Sequence, residues 1–172
     1  MHHVSHQIAN DYLGCLKHYH HMAELTQPGR ITWIGIRKTR YEPLTEQLQV
    51  DARAGVGLEG DHYPDPGGKR QITLIMAEDL QTAAAELGRT DIDPGLVRRN
   101  VVVAGIDLHQ FKQGFLRLGA CLIEVTGDCP PCKRMEENLG AGGLKALTNR
   151  GGVTGRILEG GLLSVQDEVK WA

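Results

Sequence analysis

The run Thr126-Gly127-Asp128-Cys129-Pro130-Pro131-Cys132-Lys133-Arg134-Met135-Glu136 holds the residues best suited to chemistry in this chain. It follows an apolar strand pattern and opens a helical one. A sulfur at a helix start meets backbone N–H groups that lack carbonyl partners, and Lys133 and Arg134 add positive charge. Each feature favours thiolate over thiol, so a cysteine here is expected to be a better nucleophile and soft-metal ligand than a buried one. Pro130 and Pro131 restrict the backbone between the two sulfurs. The residues alone leave several readings open: a dithiol of the thioredoxin kind, part of a zinc site, or two incidental cysteines in a turn. The dithiol fold needs βαβ units. The zinc site needs four ligands, and no second Cys-x-x-Cys or His pair follows at usable spacing. Cys15, in an N-terminal helical pattern, and Cys121, at the head of an apolar strand, read as packing residues.

Three further stretches carry polar groups beside glycine or strand ends. Arg98-Arg99-Asn100 precedes an apolar strand, and its guanidinium forks match a phosphate or a planar polar ring. Gly57-Leu58-Glu59-Gly60-Asp61-His62 allows close backbone approach and offers Asp61 and His62. Asn149-Arg150-Gly151-Gly152 is again basic and glycine-flanked. Neither glycine-rich loop is specific by itself, and neither has the P-loop pattern for phosphate. His18-Tyr19-His20-His21 suits the wet face of a helix better than a metal site, because adjacent residues seldom supply a fixed ligand geometry.

The elements that must position these groups are mostly strands. Ile8, Tyr12, Leu16 and Tyr19 fall on one helical face, and Pro28-Gly29 ends that helix, which makes residues 1–27 a helical extension. Strand patterns follow at Arg30–Arg37, Val50–Arg53, Gln71–Ile75, Asn100–Ala104, Leu116–Leu118, Cys121–Thr126, Gly152–Ile157 and Leu162–Val169. The continuous apolar run Val101-Val102-Val103 predicts burial on both sides. Gly160-Gly161 reads as a hairpin turn between the last two strands. Ala77–Leu87 is the clearest helix, with short ones at Met135–Leu139 and Leu144–Leu147. Many short strands joined by glycine-rich turns predict a mainly β domain over residues 28–172, a barrel with short helices and not a doubly wound parallel sheet.

Composition excludes several classes of partner. The 172 residues carry a net charge of −2, which argues against a duplex nucleic-acid binder. Aromatic residues make up 5%, too few for a single-strand stacking platform. No apolar run approaches the ~20 residues that span a bilayer. His2, His3, His6, Asn10 and Asp11 interrupt any secretory h-region, and four cysteines are too sparse for a disulfide scaffold. A reducing cytoplasm is the expected compartment.

In order and spacing the segments resemble the MOSC domain family, named for the C-terminal domain of molybdenum cofactor sulfurases. The resemblance runs from Val50 through Gly60-Asp61-His62, Arg70-Gln71-Ile72-Thr73-Leu74, Arg98-Arg99-Asn100-Val101 and Gly105-Ile106-Asp107-Leu108. It continues through Leu118-Gly119, Thr126–Cys132, Gly160-Gly161 and Val165–Val169, covering roughly residues 30–170. It implies a barrel of the pyruvate-kinase type and binding of molybdopterin-type molybdenum cofactor, or carriage of sulfur for a metal–sulfur centre. The family's metal-ligating or persulfide cysteine matches Cys132, and its Arg-x-Asn element matches Arg98 and Asn100. Arg70 falls in the matched run, and Arg98, Arg99 and Arg150 would meet a pterin phosphate. The implied activity is reduction of N-hydroxylated compounds or sulfur transfer, with a redox or sulfur-donor protein as partner, since no flavin, haem or iron–sulfur motif is visible. A non-catalytic sulfur-carrier or cofactor-binding module and a Cys-x-x-Cys redox protein are the alternatives. The sequence departs from the better-known members at Pro131, where they carry a basic residue. It also lacks the separate N-terminal β-barrel region of larger members, so a partner is expected to complete the pocket.

Overall fold

The strand patterns and apolar runs fold into eleven strands and four short helices in the computed structural model, which describes residues 28–110 and 113–172. In chain order these are β1 (Gly29–Ile36), β2 (Thr45–Gln47), β3 (Gln49–Arg53), β4 (Gly57–Leu58) and β5 (Ile72–Met76). Then come α1 (Ala77–Glu86), α2 (Pro94–Val97), β6 (Val101–Ala104), β7 (Gly114–Leu118) and β8 (Cys121–Asp128). The chain ends with α3 (Lys133–Leu139), α4 (Gly143–Ala146), β9 (Val153–Glu159), β10 (Gly161–Ser164) and β11 (Glu168–Trp171).

Hydrogen bonding passes from β1 through β6, β5, β9, β8, β7 and β11 and returns to β1, closing seven strands into a mixed barrel. Closure leaves few open edges, which suits short strands. Among the described residues only β5 and β6 run parallel, joined by the crossover that carries α1 and α2; the other pairs are antiparallel. β2 flanks the far end of β1, and β3, β4 and β10 form a separate three-stranded sheet.

Two apolar layers share the strands between them. Val101 and Val103 point into the barrel with Ile31, Ile34 and Leu74. Val102 points outward with Trp33 and Ile75, where α1, α2, α3 and α4 cover it through Leu80, Val97, Met135 and Ala146. That is why the run 101–103 is apolar without alternation: both of its faces are dry. A bulge between Ile31 and Trp33 lets β1 serve both layers.

Several expectations change in three dimensions. The strand Leu162–Val169 breaks into β10 and β11, because the Asp167 carboxylate accepts the Ser164 N–H at 2.8 Å and Gln166 takes φ +78°. The turn carries the chain from the small sheet to the barrel. Gly160-Gly161 is not a hairpin: β9 pairs with β8 and β5, whereas β10 pairs with β3. A Cβ at Gly160 would collide with the Ala52 carbonyl, so glycine is needed there for close passage and not for a turn. β2, β4 and α2 have no counterpart among the patterns read from the sequence. α2 had a readable start, since Asp93 caps it by accepting from the Gly95 N–H at 2.8 Å and Pro94 sits in its first turn. The extension 1–27, with its helix, histidines and Cys15, lies outside the described residues. Among the described residues no helix is long and apolar enough to cross a membrane.

Candidate functional site

The Cys-Pro-Pro-Cys loop leaves the end of β8 and is pinned from beneath. The Cys129 N–H donates to the Gly152 carbonyl at 2.8 Å. The guanidinium of Arg99 donates through Nη2 to the Cys129 carbonyl at 2.6 Å and to that of Pro130 at 3.4 Å. Its Nε reaches Gly151 O at 2.6 Å and its Nη1 reaches Val97 O at 3.0 Å. Arg99 is therefore a buried strut whose three guanidinium nitrogens each donate to backbone, the usual solution for a charge deep in a fold. Burial pushes its pKa below the ordinary guanidinium value, opposed by the neighbouring Cys129. A Cβ at Gly151 would overlap the Cys129 carbonyl, so a glycine is required where the two loops touch.

The two cysteines open into different spaces. Cys129 is buried and lines a cavity of about 470 Å³ shared with Leu144, Thr148 and Asn149. Cys132 is exposed, sits at the N-cap of α3 and lines a different cleft of about 480 Å³; Pro130 borders both.

The floor of this second cleft is a polar knot. Asn100 is buried; its Nδ2 donates to Gly35 O at 3.2 Å and Asp61 Oδ2 at 3.5 Å, and its Oδ1 accepts from Thr73 Oγ1 at 2.8 Å. Asp61 Oδ1 in turn accepts the Arg37 N–H at 3.0 Å. Arg37 follows β1 and has only 9% of its surface exposed, yet among the described residues its Nε and Nη1 have no hydrogen-bond partner. Burial lowers its pKa, as do the charges of Arg98 and Arg70, while Asp61 opposes them. A buried, charged, unsatisfied donor pair costs stability.

The walls are basic. Seven of the lining residues are cationic and two, Asp61 and Glu137, anionic. Arg98 caps α2 with φ +62°, a left-handed turn that sends its side chain to the cleft wall while Arg99 enters the protein. Arg70 lines the cleft as well. At the rim, Tyr41 meets the guanidinium of Arg40 at 5.7 Å and that of Arg134 at 5.1 Å. Arg134 also pairs with Glu137 at 3.0 Å. Cation–π contact at these distances ties the exposed 38–43 segment to α3 across the cleft.

Of the residues singled out in the sequence, Cys132, Arg70, Arg98, Arg99, Asn100 and Asp61 all line this cleft. Arg99 and Asn100 are engaged in holding it together. His62 and Arg150 do not line it. The His62 N–H donates to the Arg37 carbonyl at 2.6 Å and its exposed ring meets the edge of Tyr63. Arg150 pairs with Glu86 at 2.9 Å and with the Ala146 carbonyl at 3.2 Å. The residues that sequence reasoning missed are Arg37, Arg40 and Tyr41. One signal was present: an arginine directly after an apolar strand, at the start of the basic stretch Arg37-Lys38-Thr39-Arg40. Among the described residues no three His, Cys, Asp or Glu side chains cluster as a metal cage.

Compared with known proteins, the chain is matched over residues 18–170 by the family model described as MOSC domain, a match that begins inside the 1–27 segment. Among curated proteins none matches it in sequence. Its fold is similar to that of the YuaD protein of Bacillus subtilis, with a TM-score of 0.72 and 18% identity, covering 83% of this chain and 94% of that one. It is also similar to YiiM of Geobacillus stearothermophilus (TM-score 0.62, 18% identity, 84% and 75% covered). YiiM of Escherichia coli is comparable (TM-score 0.61, 19% identity, 83% and 69% covered). At these identities the likeness is one of fold.

Proposed function

The chain belongs to the MOSC domain family, and from that premise we propose that its basic cleft binds the molybdopterin form of molybdenum cofactor, with the Cys132 sulfur as the protein's ligand to the metal. The family is associated with this cofactor. The observation that carries the reading is Arg37: a buried guanidinium with two unpartnered donors, lining the same cleft as the exposed cysteine. Those donors call for an anionic acceptor, and a pterin phosphate supplies one. Arg98 and Arg70 add charge beside it, and Asp61 holds the Arg37 backbone in place.

When bound, the molybdenum centre supplies two-electron removal of oxygen from nitrogen, the chemistry of N-hydroxylated substrates. The chain's own contribution is binding and presentation. Arg37, Arg70 and Arg98 hold the anionic end, the knot around Asn100 fixes the floor, and the loop pinned by Arg99 offers sulfur at the mouth. A protein partner delivers electrons, or sulfur if Cys132 acts as a persulfide carrier. That second reading draws on the exposure of Cys132, which a donor protein can reach.

The test is molybdenum and pterin content of protein purified from cells with an active cofactor pathway. Equimolar molybdenum and pterin are expected in wild type, with molybdenum lost from Cys132→Ala. A metal-free wild type, or full retention in Cys132→Ala, refutes ligation. A persulfide on Cys132 by intact mass, without metal, would favour the sulfur carrier.

A further inference from the structure

Cys132 differs from the other cysteines of the described residues in one respect: an organic reagent can reach it. Cys121 and Cys129 are buried, and burial pushes the Cys121 thiol up to about 11. Around the Cys132 sulfur the cleft carries a strong excess of fixed positive charge, although the whole chain has a net charge of −2. Such local fields raise the concentration of anions near the site irrespective of net charge. Arg37 and Arg98 line this cleft and give a carboxylate a basic wall to dock against, and Nε and Nη1 of Arg37, on a side chain more than nine-tenths buried, have no hydrogen-bond partner among the described residues.

We propose that Cys132 is a reversible modification site for anionic organic disulfides, whose carboxylates are held by Arg37 and Arg98 while the disulfide reacts at the sulfur. The proposal rests on the reading of this cleft as an anion site and adds a way to switch it off. The Cys132 sulfur attacks one sulfur of the disulfide. The reagent's S–S bond breaks, a new S–S bond joins Cys132 to one half, and the other half leaves as thiolate with the electron pair. The disulfide is the only oxidant consumed, and a free thiol reverses the step. Cys129 is buried and lines the other cavity, not this cleft, so in this proposal it does not resolve the adduct. The mixed disulfide persists and occupies the sulfur that a metal or a persulfide would need.

The test compares oxidised glutathione with neutral hydroxyethyl disulfide on the reduced protein, reading adducts by intact mass and peptide mapping. The ratio of the two rates cancels the ionisation state of the sulfur and reports the field alone. Relative to a free cysteine peptide, that ratio is expected to be about tenfold higher in the protein. It should fall toward the peptide value at high salt and in Arg37→Gln and Arg98→Gln. A ratio equal to the peptide's, an adduct on Cys129, or an internal Cys129–Cys132 disulfide overturns the proposal; the salt series on wild type serves if the variants fold poorly. A protein that never acquires molybdenum yet shows the ratio refutes only the cofactor reading. One that loads molybdenum through Cys132 without the ratio refutes only this one.

Discussion

Arg37 and Arg99 are both buried arginines bordering the same cleft, and they spend their donors in opposite ways. Arg99 places every part of its guanidinium on backbone carbonyls, while Arg37 keeps Nε and Nη1 unpartnered. An unsatisfied buried donor costs about 1–3 kcal/mol, so Arg37 is a burden to the fold that a bound anion would relieve. Arg37→Met should therefore leave thermal stability unchanged or raise it, while weakening pyrophosphate binding about tenfold, as expected for a lost hydrogen bond from a charged group. Thermal unfolding and titration calorimetry check both signs. A fall in stability without loss of anion binding would make Arg37 structural.

The loop 129–132 owes its shape to contacts from distant elements. Its own two prolines stiffen it, but Arg99 at the entrance to β6 and Gly152 at the entrance to β9 anchor it. Arg99→Met would strip donors from the Cys129 and Gly151 carbonyls, at a cost of roughly 1–3 kcal/mol for each buried acceptor left unsatisfied. The expected readouts are a lower urea midpoint and faster alkylation of Cys129, with Cys132 alkylated as before. Unchanged protection of Cys129 would show that the prolines alone suffice. Glu136 performs a similar service for the next connection. Its carboxylate accepts the Gly142 and Leu144 N–H groups at 2.8 Å, and these bonds lower its pKa.

At the scale of the whole barrel, closure decides what is inside. Cys121 heads β8 within the barrel core, and its Sγ donates to Gly161 O at 3.4 Å. Burial raises its pKa to about 11, with Asp167 adding to the effect. The folded state thus holds the thiol proton more tightly than the unfolded chain, whose thiols titrate near ~8.5. Stability from this group is complete below that value and is lost as pH rises toward about 11. Wild type should lose urea resistance over this window more steeply than Cys121→Ala. Parallel pH profiles for the two proteins would refute the assignment.

What depends on near neighbours was legible in the chain itself: the strand at β1, the doubly buried run Val101–Val103, the helix beginning at Ala77, and two cysteines set between strand and helix. These are legible because side-chain period is a property of a few successive residues. Tertiary structure alone decided which loops meet. It brought Arg37 and Tyr41 to Cys132 and sent Arg150 to Glu86. It also turned Arg99 from an expected ligand into a strut, and it broke the last strand so that its two halves serve different sheets. These outcomes follow from closing seven strands into a ring, which juxtaposes residues by strand order and register, and no short stretch of chain carries that information.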